Sequence, residues 1–173
     1  MQAGGTSAFI EVADVASNAT SVNVDRNTGL ADGMYLTIGD PANSDNTDEI
    51  ISIDASGINT TTNVLTVTRG ALSTTPAAIP AGRLSVAWSA SATTTTIDEG
   101  GTYAAGDVTL TVADATGFVT GGFILVDNEI MEITGVAGND ITVTRGSYGT
   151  SDVNHNNGSN VTLLTNNGQY LLN

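Results

Sequence analysis

The chain has 173 residues, no cysteine and a formal net charge of −14, because four arginines face 18 aspartates and glutamates. This balance disfavours polyanionic partners, so we expect contact with neither nucleic acid nor a membrane surface. Without cysteine there are no disulfides and no thiol chemistry, and no apolar run approaches the roughly 18 residues of a membrane span. The apolar content of 40% is typical of a folded protein.

The most informative feature of the sequence is an internal repeat. SVNVDRNTGLADGMYLTI, DEIISI and VLTVTRGALSTT recur in the same order as VTLTVADATGFVTGGFILV, NEIMEI and DITVTRGSYGTS. The repeat predicts an N-terminal arm at 1–6, a first module at 7–87, a linker at 88–92, a second module at 93–164 and a C-terminal tail at 165–173. The copies differ most at one turn, where the acidic loop 39–48 of the first corresponds to Asp127–Asn128 of the second.

Alternating apolar and polar residues predict the strands of both modules. In chain order the apolar pairs are Val22/Val24, Leu36/Ile38, Ile51/Ile53, Leu65/Val67, Leu110/Val112, Ile124/Val126, Met131/Ile133 and Ile141/Val143. No segment has a convincing helical pattern. The predicted fold is therefore all-β, with two tandem, duplicated small antiparallel β-barrel or β-sandwich modules and little or no helix.

One hairpin of each module can be predicted to the residue. If Ile53 lies opposite Leu65, antiparallel counting places Glu49 opposite Arg69. The same counting in the second module, with Ile133 opposite Ile141, places its acid opposite its arginine. The predicted structural residues are Glu49, Arg69 and Gly70 in the first module and Glu129, Arg145 and Gly146 in the second. Each glycine is expected to supply a positive φ after its arginine.

Two loops contain oxygen side chains that could bind calcium. One contains Asp40, Asn43, Asp45, Asp48 and Glu49, and the other contains Asp152, Asn154, Asn156 and Gly158. Neither has the spacing of an EF-hand loop, so solvated or Asx-rich turns are the favoured interpretation. We therefore predict no metal site, and calcium in these loops stays the alternative.

Few other residues suggest chemistry. His155 is the single histidine and has no sequence neighbour suited to catalysis, so a structural or exposed position is expected. Asp98 and Glu99 could form a carboxylate pair of the glycosidase type, but nothing in the sequence requires it. Trp88 and Tyr103 are expected to cover the seam between the modules. We predict no catalytic residue and no cofactor.

The apolar ends of the sequence offer a way to bind a neighbour. Ser7–Val12 and Tyr170–Leu172 are predicted to pair with an exposed strand edge of another molecule. Because modules of this size bury little surface, contact between chains is also expected to contribute to stability, which favours a homo-oligomer.

The second copy as a whole resembles a β-module found in structural proteins of tailed bacteriophages. The resemblance rests on VTLTVADATGF, a Gly pair, FILVDNEIMEITGV, NDITVTRGSYGTS and HNNG. The first copy keeps NTG, DEIISI and TVTRG, but it has Leu30 in place of Phe118 and no histidine at the position of His155. Together the copies cover nearly the whole chain.

The resemblance implies a non-enzymatic structural protein located in the virion. Modules of this kind occur in tail-associated, fibre and accessory virion proteins, so the resemblance implies assembly and supplies no catalytic residues. With two modules and short ends, the chain is expected to dock on the assembled particle as a capsid decoration or accessory protein. Its partners would be other virion proteins, the major capsid or tail proteins. The alternative is a tail, neck-fibre or baseplate component that contacts the host surface.

Overall fold

The chain forms ten strands in one antiparallel sheet, seen in a computed structural model that describes residues 14–38 and 49–172. The strands are β1 (Ser21–Asn23), β2 (Tyr35–Ile38), β3 (Glu49–Asn59), β4 (Val64–Thr68), β5 (Arg83–Thr96), β6 (Thr109–Thr111), β7 (Phe123–Val126), β8 (Glu129–Ala137), β9 (Asp140–Thr144) and β10 (Asn160–Leu172). Short 3₁₀ turns follow β4 and β9, at Ala71–Ser73 and Ser147–Gly149. The described residues include no α-helix, and therefore no helix long and apolar enough to cross a membrane. The predicted all-β class is confirmed.

The order of the strands reads the same from both edges of the sheet. It runs β1-β4-β3-β2-β5 and continues β10-β7-β8-β9-β6. Each strand of the first half thus has its counterpart at the mirrored position of the second half, and the two long strands β5 and β10 meet at the centre. The halves are therefore arranged about an approximate two-fold axis between these two strands.

The edges of the sheet do not stay open, because the long strands close each half into a ring. The end of β10 returns to β1 through a bridge between Val24 and Leu172. The end of β5 makes the same closure in the second half, between Ile97 and Val112. Each ring thus contains six strands and resembles a small barrel. The strands β5 and β10 belong to both rings, so each half is closed by the long strand of the other half.

This sharing corrects two predicted boundaries. Residues 88–92, predicted as a linker, lie inside β5, and residues 165–172, predicted within a tail, lie inside β10. The linker interpretation failed because Ser and Ala are common in connectors, whereas here Trp88, Ser89 and Ala90 are paired with β10, a strand that is distant along the chain. Tyr170 and Leu172 are buried in the first half, so the idea that this end pairs with a neighbour is wrong. The arm at 1–6 and the segment Ser7–Val12 lie outside the described residues.

Each half has its own apolar core, and a third cluster joins them. The joining cluster contains Ile50, Trp88, Phe123, Ile130, Tyr148 and Leu164. Trp88 is central to it, with its ring centroid 5.1 Å from Phe123 and 6.0 Å from Tyr148. The prediction that Trp88 covers the seam is confirmed. The same prediction for Tyr103 is wrong, because that side chain lies in the core of the second half.

The hairpin registers differ from the predicted ones by two residues. Ile53 lies opposite Val67 instead of Leu65, and in the second half Ile133 lies opposite Val143. The cause is a bulge in β3 and in β8, which absorbs extra residues; in β3 it includes Ser56 with a φ of 58°. Because the shift is even, the predicted apolar residues still face the core.

The closing end of β10 provides a direct test of strand sharing. Leu172 is 0% exposed in the core of the first half, whereas its neighbour Leu171 is 38% exposed. Leu172→Ala should lower the free energy of unfolding by about 2–5 kcal/mol because it leaves a cavity. Leu171→Ala, the matched control, should change it by about 0.5 kcal/mol or less. Urea unfolding followed by Trp88 fluorescence measures both, and equally small effects would contradict the closed ring.

Candidate functional site

A buried carboxylate is the centre of a hydrogen-bonded cluster in the first half. Glu49 is 0% exposed and accepts two hydrogen bonds from Arg69, from Nε at 2.7 Å and from Nη2 at 2.6 Å. It also accepts the backbone N–H groups of Gly70 at 2.9 Å and Ala77 at 3.2 Å. A buried carboxylate is tolerated only when its charge is paired and its oxygens are bonded, and both conditions hold here.

The arginine of this cluster bonds to distant parts of the chain as well. Nη1 of Arg69 donates to the carbonyl of Ala16 at 2.6 Å, and Nη2 donates to that of Ala77 at 2.5 Å. One guanidinium therefore joins the segment before β1, the start of β3 and the loop after the first 3₁₀ turn. We call Glu49, Arg69 and Gly70, together with the backbone groups to which they bond, the first clamp. The predicted register was wrong by two residues, but the predicted contact between the acid and the arginine is present. Arg69 follows the last paired residues of this hairpin, Ser52 and Thr68, and its side chain extends to Glu49.

The second half contains the corresponding clamp. Glu129 accepts hydrogen bonds from Arg145 at 2.7 Å and 2.8 Å, from the N–H of Gly146 at 2.9 Å and from that of Val153 at 3.3 Å. Arg145 donates to the carbonyls of Ala104 and Val153, at 3.1 Å and 2.6 Å. Each hydrogen bond given for Glu49, Arg69 and Gly70 in the first clamp therefore has an equivalent at Glu129, Arg145 and Gly146 in the second.

The glycine after each arginine has the expected backbone conformation. Gly70 and Gly146 have φ values of 65° and 64°. An added Cβ would lie 2.7 Å from the carbonyl oxygen of Thr74 in the first half and 3.0 Å from that of Thr150 in the second. Glycine is required at both positions, because a side chain would meet both the strained φ and a neighbouring carbonyl.

A threonine in each half completes the clamp, and the sequence reasoning missed it. The hydroxyl of Thr74 accepts the N–H of Ile50 at 3.0 Å and donates to the carbonyl of Ala71 at 2.8 Å. Thr150 makes the equivalent bonds to Ile130 and Ser147. The signal was present in the sequence, since RGALST and RGSYGT share a threonine at the same distance from the arginine.

His155 distinguishes the second clamp from the first. Its ring is buried, with Nε2 2.9 Å from Glu129 Oε2 and Nδ1 2.8 Å from Asp127 Oδ2, and it stacks on Tyr103. The two nitrogens of one ring therefore contact two different carboxylates. The first half has Ile79 at the matching backbone bridge. The histidine was expected to be structural or exposed, and it is buried. Its contacts with two carboxylates were not predicted.

The environment of the second clamp shifts the pKa values of Glu129, Tyr103 and Arg145. Although burial opposes it, the contacts of Arg145 with Glu129 raise the pKa of the guanidinium. Burial alone would raise the pKa of Glu129, but hydrogen bonds from Arg145, His155 and the Gly146 N–H outweigh it and hold that pKa below the ordinary 4.5. Burial raises the pKa of the Tyr103 hydroxyl to about 12. Tyr103 thus stays neutral and donates to the carbonyl of Asp107 at 2.6 Å.

A small cleft opens beside the second clamp, where the two halves meet. It has a volume of about 260 Å³ and lies between Leu72 and Ser73 of the first half and Asp127, Asn128, Val153 and His155 of the second. We call it the junction cleft. Asn128 Nδ2 donates across the boundary to the hydroxyl of Ser73 at 3.3 Å. The carboxylate of Asp127 is 57% exposed, so the cleft presents a negative charge to solvent.

The other candidate residues are used within the protein. Asp152 contacts Arg145 at 2.9 Å and accepts the N–H of Gly106, and Asn154 accepts the N–H of Ala105 at 2.7 Å. These side chains thus hold the backbone of a loop that lies 46 and 49 residues away along the chain. In the described part of the chain, no group of three or more His, Cys, Asp and Glu residues could hold a metal ion. The loop from Asp40 to Asp48 lies outside it.

The carboxylates of Asp98 and Glu99 are exposed, away from the junction cleft. Glu99 Oε1 accepts the backbone N–H of Thr111 at 2.6 Å. Comparison with known proteins adds no further candidate, since no family model, curated protein or solved structure matches the chain.

The two clamps provide matched variants for stability. Removing the charge of a buried, paired carboxylate costs about 3–5 kcal/mol, so Glu49→Gln and Glu129→Gln should both destabilise the protein. Glu129→Gln should cost more at pH 7, because Glu129 also accepts a hydrogen bond from His155. Urea unfolding measures both variants, and equal losses would show that the histidine contact contributes nothing.

The lowered pKa of Glu129 also predicts acid sensitivity. Its stabilising contribution is complete above the unfolded value of 4.5 and is lost as the pH falls through the lower pKa of the folded state. Unfolding free energies between pH 7 and acid pH should therefore decrease less steeply in Glu129→Gln than in the parent. An unchanged slope in this variant would contradict the assignment.

The two conditions on the glycine can be separated experimentally. Gly146 and Gly138 both have a φ of 64°, but an added Cβ at Gly138 would meet nothing within 4 Å. Gly138→Ala should cost only the conformational strain, about 1–2 kcal/mol. Gly146→Ala should cost more, because the Cβ also displaces the clamp. Thermal unfolding compares them, and equal shifts would mean that the close approach is irrelevant.

Proposed function

We propose that the chain is a non-enzymatic structural protein of a tailed-phage virion, which docks on the assembled particle as a capsid decoration or accessory protein. The observation that carries the proposal is the pair of corresponding clamps, one in each module. They contain the motifs DEI, NEI and TVTRG by which the chain resembles the virion modules. Of the charged residues in these motifs, Glu49, Arg69, Glu129 and Arg145 hold the fold together.

The way charge is used supports a structural role. In the clamps the carboxylates and arginines bind one another and the backbone, in positions that are almost completely buried. Such groups stabilise loops and strand ends against one another, which suits a protein whose task is to keep a fixed shape. An enzyme would have to expose comparable groups to a substrate.

Strand sharing supports a role as a rigid building block. Because β5 and β10 run through both rings, the two modules cannot turn relative to one another without breaking the strand ladder between them. A subunit that repeats many times on a particle has to present its docking groups at fixed positions, and the shared strands provide that. The net charge of −14 favours a partner surface with exposed cationic side chains.

The proposal is tested on purified particles. Mass spectrometry of virions from the phage that carries this gene should find the protein in many copies per particle, and gentle separation of capsids from tails should leave it with the capsids. Recovery with tails would instead support the tail or baseplate alternative. Abundance in the lysate combined with absence from washed particles would reject a virion role.

A further inference from the structure

We propose that the junction cleft receives an arginine side chain from a protein on the surface to which the chain docks. This inference rests on the proposed function and specifies the chemistry of the contact. It is drawn from three properties of the cleft: a positioned carboxylate, apolar walls and a surplus of negative charge.

The carboxylate of Asp127 is held in place for a ligand. Its Oδ2 contacts the buried ring of His155 at 2.8 Å, and its side chain is 57% exposed. Among the described residues, no group donates a hydrogen bond to the second oxygen, Oδ1. One oxygen therefore fixes the group while the other faces solvent, and a cation that binds there does not have to order the carboxylate first.

The walls of the cleft suit the aliphatic part of a long cationic side chain. Leu72 lines one side and Val153, which is 43% exposed, lines the other. Long cationic side chains pack their methylene groups on apolar surface while the charged end stays polar. At about 260 Å³ the cleft is smaller than the sites of roughly 300–1,000 Å³ that bind drug-sized molecules, so a single side chain is the suitable occupant.

The charged groups of the second clamp carry a net negative charge, which favours the binding of a further cation. Asp127, Glu129 and Asp152 contribute three carboxylates, and Arg145 contributes one guanidinium. Among the residues that the structure describes, the first clamp has a single carboxylate, which faces a single guanidinium. Within this part of the chain the surplus negative charge lies at the second clamp, and it is exposed at the cleft through Asp127.

A second copy of this chain is a poor source of that cation. The sequence contains no lysine and four arginines. Arg69 and Arg145 are buried in the clamps, and Arg26 is bound by Asp25 and by the carbonyl of Gln169. The fourth arginine, Arg83, also has a partner within the chain. The occupant is therefore assigned to a different protein. Arginine is favoured over lysine because its guanidinium is planar, weakly hydrated and able to lie against apolar walls.

NMR titration of the full chain tests the cleft with defined probes. A capped Gly-Arg-Gly peptide should cause saturable shifts of the backbone amides of Ser73, Asn128 and Val153. The neutral citrulline peptide should cause none at the same concentrations. Equal shifts with citrulline, or arginine shifts that map elsewhere, would overturn the proposal, and equal affinity for the lysine peptide would overturn the assignment to arginine.

Two variants and a control define the site. Asp127→Asn keeps an oxygen for His155 but removes the charge, and it should weaken the arginine peptide about tenfold, as expected for a lost charge-assisted hydrogen bond. Leu72→Ser should weaken it by removing a wall. Asp140→Asn, which changes an exposed aspartate in β9 away from the cleft, should leave the affinity unchanged. Thermal unfolding verifies that each variant is folded, and equal binding by Asp127→Asn and the parent would reject the site.

Binding to particles separates this inference from the function on which it rests. Particles stripped of the protein should rebind Asp140→Asn but not Asp127→Asn. If the protein occurs in virions and Asp127→Asn rebinds normally, the cleft assignment is wrong and the function stands. If the arginine peptide binds but the protein is absent from virions, the proposed function is wrong and the cleft remains a site for cationic side chains.

Discussion

The fold depends on one interaction that occurs in both halves, the buried contact between a glutamate and an arginine. An ion pair taken out of water is costly unless its remaining donors and acceptors are satisfied. Backbone groups satisfy them here, since each arginine donates to carbonyls in two separate segments and each glutamate accepts two backbone N–H groups. The ion pair thereby fixes loops that have few apolar side chains of their own. At this end of each ring the ion pair holds the loops together, as apolar packing does elsewhere in the ring.

Strand sharing links the clamps into one structure. A six-stranded ring of this size buries a modest apolar core, and alone it would be marginally stable. Each ring is closed by a strand that continues from the other half, and the cluster around Trp88 fills the space between them. Loss of one ring therefore removes the closing strand of its neighbour. We expect the halves to unfold together, because neither is complete without the other.

The sequence was sufficient to predict the β class, the inward-facing residues and the acid–arginine pairs, because these depend on period-two alternation and on local repetition. It was insufficient for the hairpin register, since a bulge around Ser56 leaves no signature that counting can detect. The linker and tail were misjudged because β5 and β10 pair with each other, and the paired residues are 64 to 89 positions apart along the chain. The junction cleft could not be predicted at all, as it arises from residues that only the strand-sharing topology brings together.

The differences between the halves are where specific function is expected. A clamp needs only the glutamate, arginine, glycine and threonine, and the first half, with apolar Val15 and Ile79 at the positions of Tyr103 and His155, is complete with these. The histidine of the second half adds a second carboxylate contact that the fold does not require. It holds Asp127 at the boundary between the halves, beside the turn of the first half that contributes Leu72. Both clamps thus stabilise the fold, and the second one also holds an exposed charge, Asp127, at a fixed position.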